Sequence, residues 1–121
     1  VQFRYLNLNP KGYREEDCVV RAISLALNLE YFDTRRKLKL VANLLNCDEL
    51  CVCCYKHLLD NVYKLQRMEG YKGATIEEFL TENPTGKYLI RVKGHLTCGI
   101  DGVLRDTWDC RNRKIDIVWV I

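Results

Sequence analysis

A chain of 121 residues with 48% hydrophobic content is expected to bury its own core as one domain spanning residues 1–121, without disulfide staples. The formal net charge is only +3, and the basic residues are scattered apart from the run Arg35, Arg36, Lys37 and Lys39, so no nucleic-acid footprint is expected. Nothing approaches the roughly 20 apolar residues that span a bilayer, and seven cysteines, an odd count with no export leader, read as reduced thiols in a cytoplasmic chain.

Val1 to Leu8 alternates apolar and polar residues at nearly period two and ends in the turn residues Asn9-Pro10-Lys11-Gly12, which predicts a short strand or extended arm. The polar run Tyr13 to Glu16 then leads to Asp17-Cys18-Val19-Val20-Arg21-Ala22, the start of a helix predicted to about Leu29. Asp17 is placed to cap it by accepting from first-turn N–H groups. Arg21, Ser24 and Asn28 form its only polar stripe, which is expected to face a cleft or solvent. Asp33-Thr34 is read as the cap of a second helix, with Leu38, Leu40, Val41, Leu44 and Leu45 at helical intervals and the basic run as its solvated face. A third helix is predicted over Cys51 to Val62, with Cys54, Leu58, Leu59 and Val62 inward. Thr75 with Glu78 is a capping box opening a short helix that ends at Asn83-Pro84-Thr85-Gly86.

Beyond Gly86 the pattern is that of strands: Tyr88 to Val92, Leu96 to Ile100, Val103-Leu104, and Ile115 to Ile121. Lys93-Gly94 and Asp101-Gly102 separate the first three, and the second is a strong hairpin signal. Helices first and strands second predict an α+β domain, a helical half packed on an antiparallel sheet. Trp119 is expected as ordinary sheet core.

The candidate chemistry begins with Cys18. A thiol in the first turn of a helix sits at the positive end of the backbone dipoles, which favours the thiolate. His95 opens one predicted strand, and Asp106 closes the strand after the hairpin, so adjacent antiparallel strands bring imidazole and carboxylate side by side. A base and a residue to orient it would complete the set that a thiol nucleophile requires.

These residues, in this order, resemble the papain-like cysteine peptidases: a cysteine opening a central helix, Gly94-His95 on a later strand, and Asp106-Thr107-Trp108 on the next. The Asp17-Cys18 pair and the size are closer to the bacteriocin-processing branch and to small phage papain-like proteins carrying an Asp-Cys-Val-Val-Arg-Ala segment. The resemblance implies a thiol peptidase or isopeptidase with no cofactor, acting on a protein or peptide. Cys18 would be nucleophile, His95 general base then acid, Asp106 orienter, and Trp108 a shield over the His–Asp pair. Acyl transfer and deamidation would use the same residues, and a viral origin would put the chain in a host cytosol. The family usually carries a Gln six residues before the cysteine as oxyanion donor. That position is Gly12 here, so Asn9, or Asn7, is expected to supply the amide beside the Cys18 N–H. The alternative is a catalytically inactive binding module of the same fold, directed at a host factor.

A second cluster, Cys47, Cys51, Cys53, Cys54 and His57, offers soft ligands in one stretch. Its spacing is not that of paired zinc knuckles, and the segment has helical periodicity, so the preferred reading is core cysteines with a surface His57. A zinc-stabilised interaction domain held by Cys47, Cys51, Cys54 and His57 is the weaker alternative.

Overall fold

The computed structural model describes residues 1–13 and 15–121. In chain order the elements are β1 (Gln2–Tyr5), α1 (Cys18–Leu27), α2 (Tyr31–Leu45), α3 (Val52–His57) running into a π-helical turn (Leu58–Val62), β2 (Gln66–Arg67), α4 (Ile76–Glu82), β3 (Lys87–Val92), β4 (His95–Ile100), β5 (Val103–Asp106) and β6 (Ile115–Val120). Among the described residues no helix is long and apolar enough to cross a membrane.

The class is α+β, but the sheet is mixed rather than antiparallel. Its six strands run in the order β1-β5-β4-β3-β6-β2, and β1 lies parallel to β5, pairing Gln2 with Val103 through Tyr5 with Asp106. The N-terminal segment thus becomes an edge strand, and its continuation donates from the Leu6 N–H to the Asp106 carbonyl at 2.9 Å. Hairpins join β3, β4 and β5. Asp101 and Gly102 both take positive φ (49° and 75°), the backbone a two-residue turn needs to match strand twist.

Adjacent residues of a strand face opposite ways, and here both faces are covered. Leu89, Leu96, Cys98 and Trp119 pack with α1, α2 and α3, while Tyr88, Ile90, Val92, Leu104, Ile115 and Val118 pack with Ile76, Phe79 and Leu80 of α4. The expectation of helices on one side therefore needs correcting, because α4 closes the second face. Its capping box forms as predicted, with Thr75 accepting from the Glu78 N–H at 3.1 Å. Trp119 is fully buried, and its indole N–H donates to Asp60 at 2.8 Å.

Three helix expectations also change. α1 is buried on its polar stripe as well, since Ser24 donates to Thr34 at 2.9 Å and Arg21 pairs with carboxylates. It stops at Leu27 because Asn28 enters the left-handed region, which asparagine tolerates better than most residues. α2 starts earlier than predicted, capped by Glu30, and rests on Tyr31, Thr34, Leu38, Val41 and Ala42. Leu40 and Leu44 project away from that face and stay 65% and 77% exposed. Val62 is exposed too. The Tyr63 N–H bonds back five residues to the Leu58 carbonyl at 2.8 Å, and the wider π turn rotates Val62 off the buried side.

Candidate functional site

At one end of the sheet the start of α1 meets the start of β4 and the end of β5. Continuing the register in which Cys98 pairs with Arg105 sets Asp106 against Thr97, with His95 the next residue on the same side of β4. His95 Nε2 lies 2.6 Å from Asp106 Oδ2. Thr97 donates to the same oxygen at 2.6 Å, while Oδ1 accepts from Arg21 at 3.1 Å and from the Thr107 N–H at 2.6 Å. Trp108 leans on the imidazole with ring centroids 4.9 Å apart, and the Arg113 guanidinium lies over its indole at 5.5 Å.

Cys18 is half-buried and lies beside His95 and Leu96. It borders two adjoining depressions. One, of about 570 Å³, is lined by Glu16, Cys18, Leu50, Gly94, His95 and Trp108 among others. The other, of about 240 Å³, shares Cys18, Leu50, Gly94 and His95 and adds Val52 and Tyr55. The thiol therefore lies on the boundary that the two depressions share. Gly94 turns the chain with φ of 71°, and a Cβ built there meets nothing within 4 Å. A further cavity, of about 230 Å³ between Lys56, Arg67, Lys72 and β6, holds no nucleophile.

Electrostatics separates the groups. Burial penalises the Cys18 thiolate, but hydrogen bonds from His95 and Leu96 and the charges of His95 and Arg21 outweigh it, leaving the thiol below its ordinary range. Burial also disfavours the imidazolium, yet Asp106, Cys110 and Cys18 raise His95 to about 11. Asp106 stays below the usual carboxylate range despite its burial, chiefly through His95 and Thr97. A depressed thiol beside a cationic imidazole is the electrostatics of a nucleophile and its proton carrier.

Asp17 does not cap α1: its side chain makes no first-turn bond. It is buried instead, accepting from Arg21 at 2.7 Å, Tyr31 at 2.7 Å and Asn9 at 3.1 Å. Arg21 thereby ties Asp17 to Asp106. These bonds outweigh the burial that would raise the Asp17 carboxyl and hold it below its usual range. Asn9, expected as oxyanion donor, gives its amide to Asp17 and Glu15 because a buried carboxylate takes every donor in reach. Asn7 donates to the Tyr13 carbonyl. Neither amide is among the described residues lining the cleft, whereas the Cys18 N–H, first of its helix, has no intrahelical acceptor.

The structure thus brings Cys18, His95, Asp106 and Trp108 together and sets Asn9 apart. Arg21, Thr97, Asp17, Tyr31 and Cys110 were missed. Only the four-residue Asp17–Arg21 spacing and the two-residue His95–Thr97 spacing pointed to any of them. His95, Asp106 and Cys110 offer ligand atoms within 4.8 Å of one another, but the Asp106 oxygens are already engaged by four donors, which suits a hydrogen-bonded site better than a metal centre.

All seven cysteines are free thiols. In the second cluster the residues that converge are Cys47, Cys51 and Cys53. Cys54 is instead buried, its thiol donating to the Leu38 carbonyl at 3.3 Å, and the half-buried His57 pairs with Asn61 at 3.1 Å. The set Cys47, Cys51, Cys54 and His57 does not form. Comparison of the chain with family models, with curated proteins and with solved structures finds no match.

Proposed function

We propose that this chain is a thiol-dependent hydrolase of peptide or isopeptide bonds, built on a papain-like scaffold. The observation that carries the reading is the 2.6 Å contact of His95 Nε2 with Asp106 in an imidazole that lines the same two depressions as the Cys18 thiol. With Nε2 held by the carboxylate, Nδ1 is the nitrogen left to exchange a proton with sulfur.

In this mechanism the Cys18 thiolate attacks the carbonyl carbon, and the carbonyl π electrons move onto oxygen. The Cys18 N–H at the helix start steadies the oxyanion. Its collapse breaks the C–N bond as the His95 imidazolium gives its proton to the departing amine, leaving a thioester. His95 then takes a proton from water, the hydroxide adds to the thioester carbon, and collapse of that tetrahedral species breaks the C–S bond, releasing the acid and restoring the Cys18 thiolate beside the His95 imidazolium. Asp106 fixes the tautomer and steadies the imidazolium, and Trp108 keeps water from their hydrogen bond.

A binding module of the same architecture is favoured by one observation: among the described residues lining the cleft no side-chain amide stands beside Cys18. Two measurements separate the readings. Iodoacetamide at mildly acidic pH should alkylate Cys18 before Cys53, the most exposed thiol. A library of unfolded-protein peptides should be cut by the wild type, with Cys18→Ala lowering turnover at least about 10³-fold while the fold persists. Saturable peptide binding with no cleavage, and labelling ordered by exposure alone, would establish the binding module instead.

A further inference from the structure

The loop between α2 and α3 carries a feature that the proposed hydrolysis does not use. Asn46 turns the chain with φ of 55°, and the Cys47 N–H returns to the Ala42 carbonyl at 3.0 Å. Asp48 then closes the loop, its side chain accepting from the Leu50 N–H at 2.8 Å and its carbonyl from the Cys51 N–H at 3.2 Å. These turns bring the sulfurs of Cys47, Cys51 and Cys53 within 4.8 Å of one another, and those of Cys51 and Cys53 to 2.7 Å.

Four sulfurs around zinc at about 2.3 Å stand about 3.8 Å apart, so this trio needs only small side-chain adjustments to share one cation. Thiolates on a tight, partly exposed loop suit a borderline-soft cation and not an oxygen-seeking one. We propose that Cys47, Cys51 and Cys53 form a zinc site, its fourth position left to water or an incoming ligand. On binding, three S–H groups give their protons to solvent and three Zn–S bonds form. The site ties the end of α2 to the start of α3 and fixes Leu50, which lines both depressions beside Cys18. Zinc then stiffens one wall of the cleft, whether or not the cleft turns over substrate.

The test uses the reduced full chain under anaerobic conditions, with Co²⁺ as spectroscopic probe and Zn²⁺ as competitor. One equivalent of Co²⁺ should give a sulfur-to-cobalt charge-transfer band that Zn²⁺ displaces, and Zn²⁺ should protect Cys47, Cys51 and Cys53 from iodoacetamide while Cys18 still reacts. Cys53→Ser, at an exposed position that leaves packing intact, should weaken Zn²⁺ binding at least about tenfold, and Cys47→Ser should do the same. Cys54→Ala, His57→Ala and Cys18→Ala should keep the band. No band at one equivalent, a band that survives Cys53→Ser in the folded chain, or one lost with His57→Ala would overturn the site.

Discussion

Arg21 decides more of the local structure than its sequence position suggests. Its guanidinium is nearly sealed from solvent and bonds Asp17 at 2.7 Å and Asp106 at 3.1 Å, so removing it strands two buried carboxylates. Arg21→Ala should cost about 3–5 kcal/mol, read from the urea midpoint at neutral pH, and a loss under about 1 kcal/mol would mean that water replaces the guanidinium freely. Thr97→Val keeps the shape but removes one donor from Asp106. It should cost about 1–3 kcal/mol and raise the His95 titration midpoint by NMR, because the shared oxygen keeps more of its charge for the imidazolium, whereas an unmoved midpoint would separate Thr97 from the His95–Asp106 pair. The positions of Cys18, His95 and Asp106 at the ends of α1, β4 and β5 were legible from the turn residues nearby and from an Asp at the helix start, even though the Asp17 side chain does not cap. Arg21 was not legible, since an Asp and an Arg four residues apart look the same on a surface helix as in a core. Asn9 was misjudged for the same reason: nothing in the chain showed that Asp17 would be buried and claim its amide.

At the scale of elements, α4 packs tightly on β4 at Gly99. A Cβ at Gly99 would meet Leu80 Cδ2 at 2.8 Å, so a glycine there lets the helix settle on the strand. Gly99→Ala should destabilise by about 1–3 kcal/mol. Because the obstacle is a side chain, Leu80→Ala should relieve it: the double variant should fall short of additivity by about 0.5 kcal/mol or more, and strict additivity would place the strain elsewhere. The hairpins and the α4 cap were readable, since turn and cap chemistry is local. The parallel seat of β1 was not, because strand partners are chosen by tertiary packing that alternation leaves open. Leu40 and Leu44 show the related limit. Helical spacing names several possible apolar faces, and α2 buries the one that begins at Tyr31.

For the whole molecule the charged groups at the sheet end set how stability depends on pH. Asp17 and Asp106 are held below the ordinary carboxylate range. Their contribution is complete above the unfolded value near about 4 and drains away as pH falls through the folded values. His95, raised to about 11, contributes fully below its unfolded value near about 6.5 and loses that contribution as pH climbs toward its folded value. Cys18 acts in the opposite sense: its lowered thiol adds stability as pH rises toward the unfolded value near about 8.5. On the proposed reading the folded pair shares one proton, as thiolate and imidazolium. The unfolded pair also holds one between about 6.5 and 8.5, so the wild type should be nearly flat there and decline only above it. Cys18→Ala removes the compensating group, and its decline should begin near about 6.5. Urea midpoints for both chains from mildly acidic to alkaline pH read the difference directly. Superimposable alkaline arms would mean that sulfur and imidazole do not share the proton, and the nucleophile would then have to be sought elsewhere in the cleft.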